Sequence, residues 1–88
     1  MKINKDIIFS KVNDVDGGML FDLKNGSYYR VNEVACFIIE CIQSGKVNNT
    51  GDIAELLCEE YDIDASTALS DTEDVIKDLY QLDLLVNE

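Results

Sequence analysis

Histidine is absent from the 88 residues, which removes the commonest general base and the commonest metal ligand. What remains with chemistry to offer is three cysteines and a surplus of carboxylates. Cys36, Cys41 and Cys58 have neither CxxC spacing nor His partners, so they outline no zinc centre and no base-activated nucleophile. Cys36 and Cys41 lie five apart on one helical stretch and point away from each other; all three read as small hydrophobes in a reduced protein. The carboxylates hold one metal-like spacing. Asp62, Asp64, Ser66 and Glu73 fall at the first, third, fifth and twelfth positions of an EF-hand-like loop, with apolar Leu69 at the eighth. Thr67, however, stands where that loop's sharp turn wants Gly, and no second loop pairs with it: Asp14 and Asp16 begin a similar pattern, but Asn25 sits at its twelfth position. The competing reading is an acid-rich helix start, which the helix dipole favours. No cofactor is expected.

The net charge of -11 is unevenly placed. Residues 1–50 carry six acids and six bases, whereas residues 51–88 carry twelve acids against Lys77 alone. Such a half repels nucleic-acid phosphates and attracts basic partners. An odd cysteine count without paired spacing makes no disulfide framework and fits the cytoplasm. No apolar run approaches the ~20 residues of a membrane span. The N-terminal stretch lacks the apolar run and cleavage site of a signal peptide.

The elements that must position these residues turn on one stretch, Gly26 to Gly45. Asn25-Gly26 signals a hairpin turn, and Tyr28, Tyr29 and Val31 are strand-formers. At Asn32 the period changes: Val34, Ala35, Ile38, Cys41 and Ile42 share a helical face. Asn32 is a good N-cap, Val31 and Cys36 stand at the staple positions, and Gly45 suits a left-handed helix end. Before this corner, residues 7–13 and 19–23 read as strands around an Asp14-to-Gly18 turn, with 27–31 as the third strand of a meander. After helix 33–44, Asn49 (or Thr50) caps a helix over 50–61. A third helix spans 65–82, its start set either by Asp64 or by a Ser70/Glu73 capping box. Leu84-Leu85-Val86 is an apolar tail that docks on the core. Residues 1–88 thus read as a single α+β domain, winged-helix-like, with a three-stranded antiparallel sheet followed by three helices.

Two alternatives fail on residues. A carrier protein needs a serine in an Asp-Ser-Leu setting, and Ser66 and Ser70 follow Ala65 and Leu69. A DNA-reading third helix needs basic or amide side chains near its N-terminus; this one offers Asp71, Glu73, Asp74 and Asp78 against Lys77.

The order of motifs resembles the PqqD-like family. Gly26-Ser27-Tyr28-Tyr29-Arg30-Val31-Asn32-Glu33-Val34-Ala35 is similar to its strand-to-helix corner. Ser44-Gly45, Ile53-Ala54, Leu57, Tyr61-Asp62, Asp74-Val75, Leu79, Leu82 and Leu84-Leu85 follow its spacing, so the likeness runs from about Ile7 to Val86. Asp83 stands where the family commonly has Gly, and no Pro follows Asp64. The resemblance implies a non-catalytic recognition element for ribosomally made precursor peptides (a peptide chaperone of natural-product biosynthesis). In such proteins the leader segment adds as a strand beside the third strand, in the groove it forms with the third helix. The domain then presents the leader to a modifying enzyme such as a radical SAM protein, a cyclase or a leader peptidase.

The residues suit that role. Ser27, Tyr28, Tyr29, Arg30 and Val31 would form an edge strand whose only charged gatekeeper is Arg30, open to strand addition and equally to a homodimer through that edge. Val75, Leu79 and Leu82 would line the groove, with Asp71, Asp74 and Asp78 along an acidic rim that favours a leader carrying Lys or Arg. Strand parity alone does not say whether Tyr28 or Tyr29 faces the peptide. The alternative functions are a calcium-binding domain built on 62–73, or an acidic interaction or inhibitor domain. Neither nucleic acid nor membrane is an expected partner.

Overall fold

Alternation of side chains builds the sheet, and helical periodicity closes it over. The computed structural model describes residues 1–12, 17–47 and 49–87. A two-residue strand, β1 (Lys2–Ile3), precedes β2 (Ile7–Val12), β3 (Gly17–Asp22) and β4 (Tyr28–Asn32). The last three form an antiparallel sheet in the order β2-β3-β4. Helices α1 (Glu33–Ser44), α2 (Thr50–Tyr61) and α3 (Ala65–Gln81) follow, then β5 (Leu85–Val86). The architecture is the expected α+β one, a three-stranded antiparallel sheet followed by three helices.

Ladder pairs Phe9–Leu20 and Leu20–Tyr29 put these residues in one row on the face turned to the helices, where Leu20 is fully buried. Ile38, Ile39, Ile53, Leu57, Ala68, Leu79 and Leu84 are among the residues that join it in that core. Thr72 is the buried polar exception among the described residues; its hydroxyl donates to the Ala68 carbonyl at 2.7 Å, which removes the cost of burying it.

The helix ends follow local chemistry. Asn32 Oδ1 accepts from Ala35 N–H at 2.8 Å, so β4 becomes α1 without a loop. Gly45, at φ 73°, ends α1 by donating to the Ile42 carbonyl. Asn49, rather than Thr50, caps α2 through Asp52 N–H. Asp64, rather than the Ser70/Glu73 pair, stands at the start of α3. α3 ends at Gln81, one residue short of the expected 82, with Leu82 as its cap residue.

Other differences have physical reasons. Gly17 and Gly18, expected in a turn, belong to the central strand, pairing with Val12 and Lys11 on one side and Asn32 and Val31 on the other. A Cβ at Gly17 would stand 2.5 Å from the Val31 carbonyl oxygen, and one at Gly18 would stand 2.8 Å from that of Ser10. These glycines permit close approach of backbones, not a positive φ. The expected turn at Asp14 to Asp16, the strand end at Asn13, and Asn48 of the 46–49 link lie outside the described residues. Between β3 and β4, Asp22 Oδ1 accepts from Lys24 and Asn25 N–H, and Asp22 and Ser27 close the loop. The turn therefore spans four residues, with Gly26 at φ 77°. Finally, β1 pairs with β5, joining the two ends of the described chain; Asn4 extends the join to the Leu84 and Asp83 carbonyls.

Candidate functional site: the groove between β4 and α3

β4 has β3 on one side only, so its other edge is open among the described residues. Asp22 N–H donates to the Ser27 carbonyl, which fixes the parity of the ladder. Ser27, Tyr29 and Val31 turn their carbonyls toward β3, and alternation turns the N–H and C=O groups of Tyr28 and Arg30 to the open edge. The same alternation sorts the side chains. Tyr29 and Val31 face the core and are half-buried, whereas Tyr28 is 63% exposed on the outer face.

Across from this edge runs α3. Between them lies a groove of about 260 Å³ lined by Leu20, Tyr29, Arg30, Val31, Asn32, Ala35, Val75, Asp78, Leu79, Leu82 and Leu84. The floor is apolar. Asp78 on the helix brings a negative charge, while Arg30 borders the groove from the strand edge, its side chain set by alternation on the outer face of the sheet. Leu82, exposed at the mouth, also borders a polar cleft formed with Asn4, Asp6, Asp22, Lys24, Asn25, Asp83 and Val86.

Of the expected site residues, Tyr29, Arg30, Val31, Val75, Asp78, Leu79 and Leu82 come together here. Ser27 lies at the turn, where its N–H is taken by Asn25 Oδ1. Tyr28 belongs to the opposite face of the sheet. Asp71 lies one helical turn beyond Val75, and Asp74 is rotated off the groove-lining face, so the acidic rim contracts to Asp78. Leu20, Asn32, Ala35 and Leu84 complete the groove without having been foreseen. Periodicity marked Leu20, Ala35 and Leu84 as apolar, but long-range strand pairing decides that they lie under this edge.

The calcium alternative is not supported. Residues 65–81 are continuous helix, which places Ser66 and Glu73 two turns, about 10 Å, apart along α3 instead of wrapping them around an ion. Asp62 caps α2 in the left-handed region at φ 53°. Asp64 is held below the usual carboxylate range by the Thr67 and Ser66 hydroxyls, and Ser66 Oγ donates to it at 2.8 Å. Among the described residues, no three His, Cys, Asp or Glu side chains form a group that could hold a metal. Burial pushes the Cys36 and Cys41 thiols up, with the Glu40 carboxylate acting in the same direction. Neither is poised as a thiolate nucleophile.

Residues 17–85, well over half the chain, match the sequence pattern of the family described as Coenzyme PQQ synthesis protein D (PqqD). The chain belongs to the PqqD family. Two solved structures share its fold. TbiB1 in complex with the TbiA(beta) leader peptide superposes with a TM-score of 0.86 at 25% identity, over 100% of this chain and 98% of that one. Lasso peptide synthetase B1 complexed with the leader peptide superposes with a TM-score of 0.82 at 21% identity, over 98% and 96% of the two chains. No curated protein matches the chain. Among the described residues no helix is long and apolar enough to cross a membrane.

Proposed function

We propose that this PqqD-family chain is a non-catalytic module that captures the leader segment of a ribosomally made precursor peptide and presents it to a modifying enzyme. The leader adds as a strand along β4 and lays alternate side chains into the groove beneath α3. One observation carries the reading: an open strand edge stands over an apolar groove, in a fold that TbiB1 shares when its leader peptide is bound. Main-chain hydrogen bonds at such an edge supply affinity, and pockets for alternate side chains supply selectivity. Val75, Leu79 and Leu82 take the inward side chains, together with Tyr29 and Val31. Asp78, within a chain of net charge -11, favours Lys or Arg on the helix side of the leader. The partner enzyme is of the radical SAM, cyclase or leader-peptidase kind, and the setting is the cytoplasm.

The test is titration of the isotope-labelled protein with the leader region of a precursor peptide encoded beside it. Shifts confined to β4 and the groove-lining side of α3, at a Kd of about 1 μM or tighter (about -8 kcal/mol), support the reading. Shifts centred elsewhere contradict it.

A further inference from the structure

The outer face of the sheet carries a second pattern, of which only Arg30 also borders the groove. Ile8 pairs with Phe21, and Phe21 with Tyr28, so the three form one row across all three strands. All three are exposed, at 49%, 37% and 63%. The Phe21 and Tyr28 rings lie 6.4 Å apart in a tilted contact. The row ends at the open edge. Two positions along β4, on the same outer face, stands Arg30, beside Met19; among the described residues its guanidinium has no ion-pair partner. The residues that expose these side chains, Tyr28 and Arg30, are also the two whose N–H and C=O groups face the edge.

An incoming strand has no freedom to ignore this face. Whichever way it runs, the residues opposite Tyr28 and Arg30 must stand on the outer face, and the residue between them must point into the groove. Its outward side chain beside Tyr28 becomes the fourth member of the apolar row, and its neighbour two positions along meets the Arg30 guanidinium.

We infer that the sheet reads the bound segment on both faces: besides the groove, Tyr28 selects an outward apolar or aromatic residue and Arg30 an outward acid two positions away. This rests on strand addition at β4 and names the chemistry of its ligand. The segment it takes alternates, with an apolar residue outward, an apolar residue inward and an acid outward. Cross-strand pairs of these kinds stabilise directly opposed positions, and like charges there repel.

The test pans a phage-displayed random peptide library on the whole protein and, in parallel, on its Arg30→Glu and Tyr28→Ser variants. Both positions are exposed, so the variants keep the fold, which an unchanged melting curve checks. Binders are then mapped by amide shifts on labelled protein. The expected result has three parts. Wild-type binders that perturb β4 share an apolar residue and an acid two positions apart, Arg30→Glu binders exchange that acid for Lys or Arg, and Tyr28→Ser binders lose the apolar preference. A wild-type binder loses about fivefold in affinity on Arg30→Glu and regains it when its acid is reversed to Lys. Binders that perturb β4 and the groove but lack the two-position pattern, or whose consensus survives Arg30→Glu, overturn the inference and leave strand addition standing. Binders that leave β4 unperturbed overturn both.

Discussion

At Tyr61 burial and charge act in the same direction. The ring meets Phe37 edge-on at 5.8 Å, and the phenol is pushed up to about 12, first by burial and then by the nearby Glu33 carboxylate. A phenol raised in the folded state stabilises the protein fully below its ordinary value near 10, and that stability is lost as pH rises from there toward 12. Denaturation at rising pH should therefore show stability falling across this window, with a shallower fall in Tyr61→Phe; equal slopes would contradict the assignment. Gly18 allows a second prediction. Its alanine variant would drive a methyl against the Ser10 carbonyl and the Phe9 ring, at a cost of about 1–3 kcal/mol in urea unfolding. Asp83 works the other way. It occupies the left-handed region at φ 60°, where its main chain already makes the bonds to Tyr80 and Asn4. Asp83→Gly keeps those bonds and should stabilise by about 0.5–1 kcal/mol, read as a raised urea midpoint.

The β4–α1 corner is the element on which the site depends. Its capping Asn32 and its terminal Gly45 were legible because each is a local signal, readable within a few residues. The same holds for the three helices, whose apolar spacing is periodic. Three things were not legible. Gly17 and Gly18 look like turn residues until strand pairing shows what approaches them. The β1–β5 pair joins residues more than eighty apart through two-residue strands, too short for any periodic signal. Which acids rim the groove depends on the rotation of α3, set by the burial of Ala68, Thr72, Ile76 and Leu79, and on how far along the helix the groove reaches; Asp74 is turned off the lining, Asp71 lies one turn beyond it, and Asp78 stays. Leu82 tests the element directly. It is 45% exposed at the groove mouth, so Leu82→Glu should change stability by less than about 0.5 kcal/mol. It should nonetheless weaken leader binding by about tenfold, because it places a charge where an inward apolar side chain must settle. Fluorescence anisotropy with a labelled leader peptide measures this, and unchanged affinity would remove Leu82 from the site.

For the molecule as a whole, charge is unevenly placed. Twelve of its acids fall after residue 50, while the sheet half is balanced. A leader with Lys or Arg toward Asp78 should bind more weakly as salt rises, since the Debye length shrinks from about 30 Å at 0.01 M to about 3 Å at 1 M. The apolar groove contacts should keep part of the affinity at the highest salt. Amide hydrogen exchange with and without a saturating leader peptide tests strand addition most directly. In the free protein the Tyr28 and Arg30 N–H groups face the open edge, whereas Tyr29 and Val31 turn theirs to β3. The peptide should slow exchange at Tyr28 and Arg30 strongly, with a smaller change at Tyr29 and Val31. Protection that leaves Tyr28 and Arg30 exchanging as before, while the peptide is bound, would contradict it.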